Sequence, residues 1–369
     1  MTTRSLSERG RHCRAGMSPI GPSRRRWLEP LLAIGAAIAP GCGSEDASGT
    51  FPYVGEPARA LPTMAVATIR PEDIQGRSEL RLGATPFLGD EGTREAFADI
   101  ATGLSQKLGI PVRFVVASGY QELIDLTVRG EVDVVQLSPL SYVKAATQMP
   151  NLRLIASSTS FGTDSYSAFL VVRSDSEIES MADLLPAQRL GKGRPRVALV
   201  DRNSASGFLL PYHALRDAGI DPQRDLELSF TGSHEASIEA VANGVVDVAA
   251  VSSGTLNSVR RGEVLGPGSL RLLYKAGRLP YDAVCVSPAL SEEVARRIAA
   301  AFAALDTRSA EGRKALRASR GMTGWISTSA ERYDRLRQSW EQMRTQQWSE
   351  WTRELASGAK AATPTQGEH

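Results

Sequence analysis

From Glu79 onward the chain alternates between short apolar runs and stretches with helical spacing. Leu80–Thr85, Val112–Ala117 and Val132–Leu137 carry Leu, Val and Phe and read as buried strands. Between them, Arg94–Leu108 and Gln121–Arg129 carry apolar residues three and four apart and read as amphipathic helices. Such alternation predicts α/β architecture, a mostly parallel sheet covered by helices on both faces. The pattern then repeats: at an offset of 114 residues, Tyr120–Ser138 lies over His234–Ser252. Ile124, Gly130, Val132, Asp133, Val134 and Ser138 meet Ile238, Gly244, Val246, Asp247, Val248 and Ser252. Each copy reads as a helix, a glycine at its C-terminal end, and a buried strand leading to a polar loop. Two copies predict two similar lobes.

Before Glu79 the pattern is different. Ser23-Arg24-Arg25-Arg26-Trp27-Leu28 precedes the apolar run Leu31–Ala39 and then Pro40-Gly41-Cys42, the order of a signal peptide and too short for a comfortable membrane span. The arginine pair resembles a twin-arginine export signal, with Glu29 where a base is usual, and Gly41-Cys42 resembles the end of a lipoprotein box, with Ala39 in place of Leu. A plain secretory signal with an incidental cysteine is the alternative, and Met17 is an alternative start. Residues 43–78, rich in Gly, Ser, Pro, Ala and Glu, read as a tether.

Charge and cysteine content narrow the function. The 369 residues hold 43 bases and 41 acids; removing residues 1–42 takes away seven bases and two acids, leaving 36 against 39. A nearly neutral body gives no basis for nucleic-acid binding. Only Cys285 of the three cysteines lies in the body, and the four histidines are scattered, so neither a disulfide framework nor a metal site is expected.

Candidate chemistry sits where strands run into helices. Val197–Val200 leads to Asp201-Arg202-Asn203-Ser204-Ala205-Ser206-Gly207 and then the helical pattern Phe208–Ala218. Backbone N–H groups and two hydroxyls at the positive end of a helix suit a tetrahedral oxyanion, although Asn and Ser also cap helices for structural reasons. The lysine of a nucleotide-binding loop is missing. Tyr120 and His234 open the repeated helices and face the crevice at which open α/β sheets bind ligands; the plainer alternative is a core-edge tyrosine and a cap-neighbour histidine. Lys192, Arg194 and Arg196 read as a solvated basic loop, and Trp325, Trp340, Trp348 and Trp351 as packing and surface anchors.

These residues resemble the phosphonate-binding periplasmic proteins of ABC importers. The resemblance covers roughly Leu80–Leu290 through Gly119-Tyr120, Asn203–Pro211, Thr231-Gly232-Ser233-His234-Glu235, Ala240–Gly244 and Leu279-Pro280-Tyr281-Asp282. It implies a two-lobed periplasmic binding protein type II fold with the ligand cleft between the lobes. It also implies oxyanion contact by Tyr120, Ser204, Ser206 and His234, with Asp282 reaching in from near the hinge. Ala205 stands where the family usually has Thr, so backbone amides there must compensate. The family positions that meet an ammonium group look to be Leu137 and Gly254, neither able to attract a cation. Aminoethylphosphonate is therefore disfavoured against phosphite, phosphate or a small alkyl phosphonate.

The resulting division is 1–42 signal with a lipidation cysteine at Cys42, 43–78 tether, 79–167 first lobe, 168–276 second lobe, 277–348 return to the first lobe with C-terminal helices, and 349–369 tail. Helices are expected at Ser291–Leu305, Ala310–Ala318 and Ala330–Gln346, packed on the first lobe, and hinges near Ser165–Phe169 and Lys275–Asp282. The expected protein is an extracytoplasmic, lipid-anchored monomer that hands a phosphorus oxyanion to an ABC permease and its ATPase, without cofactor, metal or catalytic residue. The rivals are a sensing partner of a membrane receptor and an enzyme built on Ser206, His234 and Asp247 or Asp282. An imidazolium at a positive helix end is disfavoured until an anion arrives, so His234 is expected to take up a proton on binding. A carboxylate at Asp282 accepts a hydrogen bond from a protonated oxyanion and repels a fully ionised one. Calorimetry should thus show hydrogen phosphate binding more tightly than sulfate; equal affinities would count against this reading.

Overall fold

The computed structural model describes residues 66–188, 191, 193–261 and 269–345. Residues 1–65, with the expected signal segment and Cys42, and Lys192, Trp348, Trp351 and residues 349–369 lie outside them. The first lobe begins with β1 (Leu80–Ala84), α1 (Gly89–Leu108), β2 (Val112–Val115), α2 (Tyr120–Val128), β3 (Val134–Leu137), α3 (Pro139–Gln148) and β4 (Arg153–Ser160). The second comprises β5 (Ser165–Arg173), β6 (Arg196–Leu199), α4 (Leu210–Asp217), α5 (Pro222–Asp225), β7 (Glu227–Phe230), α6 (His234–Ala242), β8 (Val248–Ser252), α7 (Ser253–Arg261) and β9 (Leu270–Pro280). The chain then returns through β10 (Ala283–Val286), α8 (Glu292–Ala303), α9 (Ala310–Ala315), β11 (Met322–Ile326) and α10 (Asp334–Thr345).

Each lobe holds one sheet, ordered β11-β4-β10-β3-β1-β2 and β7-β6-β8-β5-β9. Both are mixed where mostly parallel ones were expected. The βαβ units are parallel, β2-β1-β3 and β7-β6-β8, and the remaining strands are antiparallel. The reason is an exchange: β5 arrives from the first lobe to pair with β8, and β10 arrives from the second to pair with β3. The inner strands β3, β8 and β10 are buried along their whole length, which explains their unbroken apolar runs. Edge strand β7 alternates between exposed and half-buried residues.

The duplication extends to single hydrogen bonds. Gly130 and Gly244 end the repeated helices at φ of +70° and +71°, a left-handed conformation that costs glycine little. Their N–H groups donate to Thr127 O and Val241 O, both at 3.1 Å, and the next residues donate to Leu126 O and Ala240 O, both at 2.9 Å. Asp133 and Asp247 then guard the starts of β3 and β8. Each accepts a backbone N–H at 2.8 Å, from Arg81 and from Arg196, as well as the guanidinium of that same arginine. Arg196 is thus a paired strand residue rather than part of a solvated loop.

Three sequence boundaries move. The last tether residues belong to the body: Ile69 and Ile74 are buried, and Ile69 N–H donates to Leu108 O at 2.7 Å. The lobes change over at 161–164 and 281–282, so the first crossing precedes the expected hinge at Ser165–Phe169, which is strand β5, while the second ends the expected Lys275–Asp282. The two crossings run together, with Ser157 Oγ donating to Tyr281 O at 3.2 Å and Ser158 N–H to Asp282 O at 2.9 Å. Finally, α8 and α9 pack on the first lobe, but α10 does not stay there. Its Leu336 and Trp340 share a core with Leu140 of α3 and with Leu199 and Phe208 of the second lobe.

Asp133 is almost fully buried whereas the Asp247 side chain is 27% exposed. Burial opposes the charge of Asp133, yet Arg81 and Arg77 hold its carboxyl below the usual range. Removing it strands a half-buried backbone N–H and takes the carboxylate partner from two guanidinium groups. Urea denaturation should show Asp133→Ala costing about 3 kcal/mol and Asp247→Ala about 1 kcal/mol.

Candidate ligand-binding site

A cavity of about 70 Å³ lies between the lobes, with Tyr120 and Gln136 on one wall, Ser204 and His234 on the other, and Tyr281 and Asp282 at the second crossing. Among the described residues, six helix beginnings contribute to its lining: Leu88 before α1, Tyr120 of α2, Ser138 before α3, Ser204 before the turn into α4, His234 of α6, and Ser252 with Gly254 at α7. Each beginning presents N–H groups without helical acceptors and the equivalent of roughly half a positive charge. The geometry suits an anion.

The turn after β6 is a π-helical one, Ala205–Leu209, entered from Ser204. Ser204 Oγ accepts from Gly207 N–H at 3.0 Å. Gly207 is needed for close approach, because a β-carbon there would lie 2.4 Å from Val200. The turn therefore folds tightly back on the strand, leaving Ser204 on the cavity wall. Tyr120 faces it from the other lobe, and burial, then the charges of Asp201 and Asp282, keep its hydroxyl protonated. Ala205 and Ser206 are buried behind that wall.

His234 is held from both sides. Its Nδ1 accepts the backbone N–H of Ser252 at 3.1 Å, which leaves the proton on Nε2, 3.2 Å from Ser206 Oγ. Ser206 Oγ in turn donates a hydrogen bond to Tyr166 Oη at 3.4 Å. Burial pulls the imidazole pKa down to about 3. Protonating Nδ1 would break its bond to the backbone, so without ligand His234 is a neutral donor, and this geometry counts against the expected proton uptake. The arrangement also does not assemble the triad considered from sequence: Nδ1 faces an N–H instead of a carboxylate, and Asp247 is engaged by Arg196.

Asp282 carries the titratable proton instead. Burial raises its pKa to about 7, opposed by the Gln136 amide, whose Nε2 donates to Oδ2 at 3.4 Å. Gln136 is oriented in turn by Trp325, whose Nε1–H donates to its Oε1 at 3.0 Å. Near neutral pH the carboxyl is shared between its two forms and can donate or accept.

Of the two ammonium-site positions, Gly254 lines the cavity and Leu137 does not. Leu137 belongs to the core, and its neighbour Gln136 faces the cavity because adjacent strand residues point to opposite faces. A side chain at 254 would meet the Tyr281 hydroxyl 3.4 Å from its β-carbon. Tyr281 stacks on Tyr166, with ring centres 4.9 Å apart. Sequence reasoning gave no role to Tyr166 or Gln136, and none to Tyr281 although it stands in the Leu279–Asp282 motif. It also missed Ser138 and Ser252, although the repeat ends on them: Ser138 Oγ donates to Ser141 and Ser252 Oγ to Thr255, both at 2.8 Å. Arg320, ion-paired with Glu235 across the lobes, completes the wall. No group of three or more His, Cys, Asp or Glu that could hold a metal occurs among the described residues.

Two α/β lobes joined by two crossings around such a cavity define a two-lobed solute-binding protein. The family model described as "ABC transporter, phosphonate, periplasmic substrate-binding protein" matches residues 82–333, and the chain belongs to that family. It is 25% identical over 236 residues to the phosphate-import protein PhnD of Mycolicibacterium smegmatis, covering 61% of this chain and 71% of that one. Against the phosphonates-binding periplasmic protein of Escherichia coli it is 26% identical over 228 residues, covering 61% of each. The fold is also that of PhnD1 from Prochlorococcus marinus, solved with methylphosphonate, at a TM-score of 0.63 and 19% identity over 72% of this chain and 98% of that one.

The geometry of His234 sets a spectroscopic expectation. Nitrogen-15 spectra should show the Nε2–H tautomer unchanged between pH 5 and 8; a titration near pH 6 would contradict the assignment. Because the unfolded imidazole gains a proton below its ordinary pKa and the folded one does not, this residue removes stability on acidification below about pH 6.5.

Proposed function

We propose that the protein captures a small phosphorus oxyanion, phosphite, phosphate or a small alkyl phosphonate, by closing its lobes and delivers it to an ABC importer. The proposal assigns ligand contacts to Tyr120, Ser204, the amides at Ala205 and Ser206, His234 and Asp282. Its single strongest support is the convergence of helix beginnings on one interlobe cavity that also contains a proton-carrying carboxyl. An alkylammonium tail is disfavoured because Arg320 already places a cation in the wall. Glu235 is occupied by that cation, and Asp282 is only partly ionised at neutral pH. Export and anchoring through Cys42 belong to the same proposal and rest on the signal-like segment alone.

Asp282 gives the selectivity a sign. When protonated it donates to an anion oxygen; when ionised it needs the ligand to bring a proton. Sulfate brings none at neutral pH. Its affinity should fall about tenfold per pH unit above pH 7, while an oxyanion that retains a proton holds its affinity further up the scale. Calorimetry with phosphite, phosphate, methylphosphonate, aminoethylphosphonate and sulfate at pH 6 and 8 tests this. Asp282→Asn, which keeps a donor at all pH values, should abolish the pH dependence of sulfate binding. No binding of any phosphorus oxyanion would overturn the proposal.

A further inference from the structure

The loop that leads into the oxyanion turn belongs to the second lobe, yet it is gripped by side chains of the first. Lys144 of α3 donates through Nζ to Asn203 Oδ1 at 2.5 Å and to Arg202 O at 3.3 Å. Asn203 Nδ2 donates to Gln121 Oε1 of α2 at 3.3 Å, and Ser138 and Ser141 approach Asn203 O at 3.5 Å. Within the loop, Asn203 N–H bonds Asp201 Oδ1 at 2.7 Å and Ser204 N–H bonds Asp201 O at 2.9 Å. The grip on Asn203 is thus passed directly to Ser204. The ammonium of Lys144 also lies 3.9 Å from the ring centre of Trp340 on α10, the helix whose Ser339 O contacts His213 of the second lobe.

From this geometry we propose that Lys144 is a positioning residue for ligand capture, a clasp from the first lobe that locks the Asp201–Asn203 loop and so sets Ser204 against the oxyanion when the lobes close. The inference rests on the capture reading above. A clasp of this kind touches no ligand. It adds to affinity because its contacts join the two lobes and are lost when they part, so ligand and clasp favour the same closed state. Trp340 suits the task, since its ring face stabilises a cation that has given up part of its water. Burial has already lowered the Lys144 pKa to about 8, as expected for such a cation.

Calorimetry on the full chain with methylphosphonate and phosphite as probes tests the clasp. Lys144→Met and Asn203→Ala should each weaken binding by about tenfold. Lys144→Arg should recover most of the loss. The Lys144→Met/Asn203→Ala double variant should lose less than the sum of the two single losses, because the Lys144 Nζ–Asn203 Oδ1 bond is common to both. Should Lys144→Met fail to fold, Asn203→Ala and Lys144→Arg carry the test. Unchanged affinity in the single variants, or losses that add in the double one, would overturn the clasp. Wild-type protein that binds neither probe would instead defeat the capture reading.

Discussion

An anion enclosed between protein walls gives up its water, and the loss must be offset by donors already aimed at the place it will occupy. Here the offset comes from position rather than from a cluster of bases. Helix beginnings carry unsatisfied N–H groups, and six of them among the described residues share one cavity. Arg320 is the charged base in that wall, and Glu235 balances it. With that cation paired to Glu235, a site of fixed dipoles favours an anion without leaving the binding to a cluster of bases that would hold any acid indiscriminately.

Duplication explains how so many helix beginnings meet. One βαβ unit presents the starts of its helices along one edge of its sheet, and a second unit facing it doubles the number. The correspondence reaches side chains: Tyr120 answers His234, Ser138 answers Ser252, and Asp133 with Arg81 answers Asp247 with Arg196. Asp282 breaks the symmetry. It sits on a crossing, outside either copy, and brings a carboxyl whose proton titrates near neutral pH.

The same crossings make the lobes interdependent. Each sheet is completed by a strand delivered from the other lobe, β10 beside β3 and β5 beside β8. Tyr333, on the turn before α10, donates its hydroxyl to Tyr281 O at 2.9 Å, and Arg332 pairs with Asp164 on the other crossing. Both strands of the hinge are therefore tied to the helix that packs against both lobes. Lobe motion and the packing of α10 are linked through these bonds.

How much of this was legible follows from the range of the interactions involved. Strand and helix periods are local, and so is the need for glycine at 130 and 244; the fold class and the repeat were therefore visible in the linear chain. The repeat also placed Tyr120 and His234 together, and the turn after Val200 showed its donors through small residues. Sheet polarity, the straddling of α10, and the approach of Gln136, Tyr166 and Tyr281 were not legible, because they depend on strand exchange between segments far apart in the chain. The state of each proton was equally hidden. Only the folded environment holds His234 neutral, through the backbone of Ser252, and lifts Asp282 to about 7 by burial. Residue identity supplies a group and its ordinary pKa, whereas desolvation and bonding geometry, which exist only in three dimensions, decide which charge it carries.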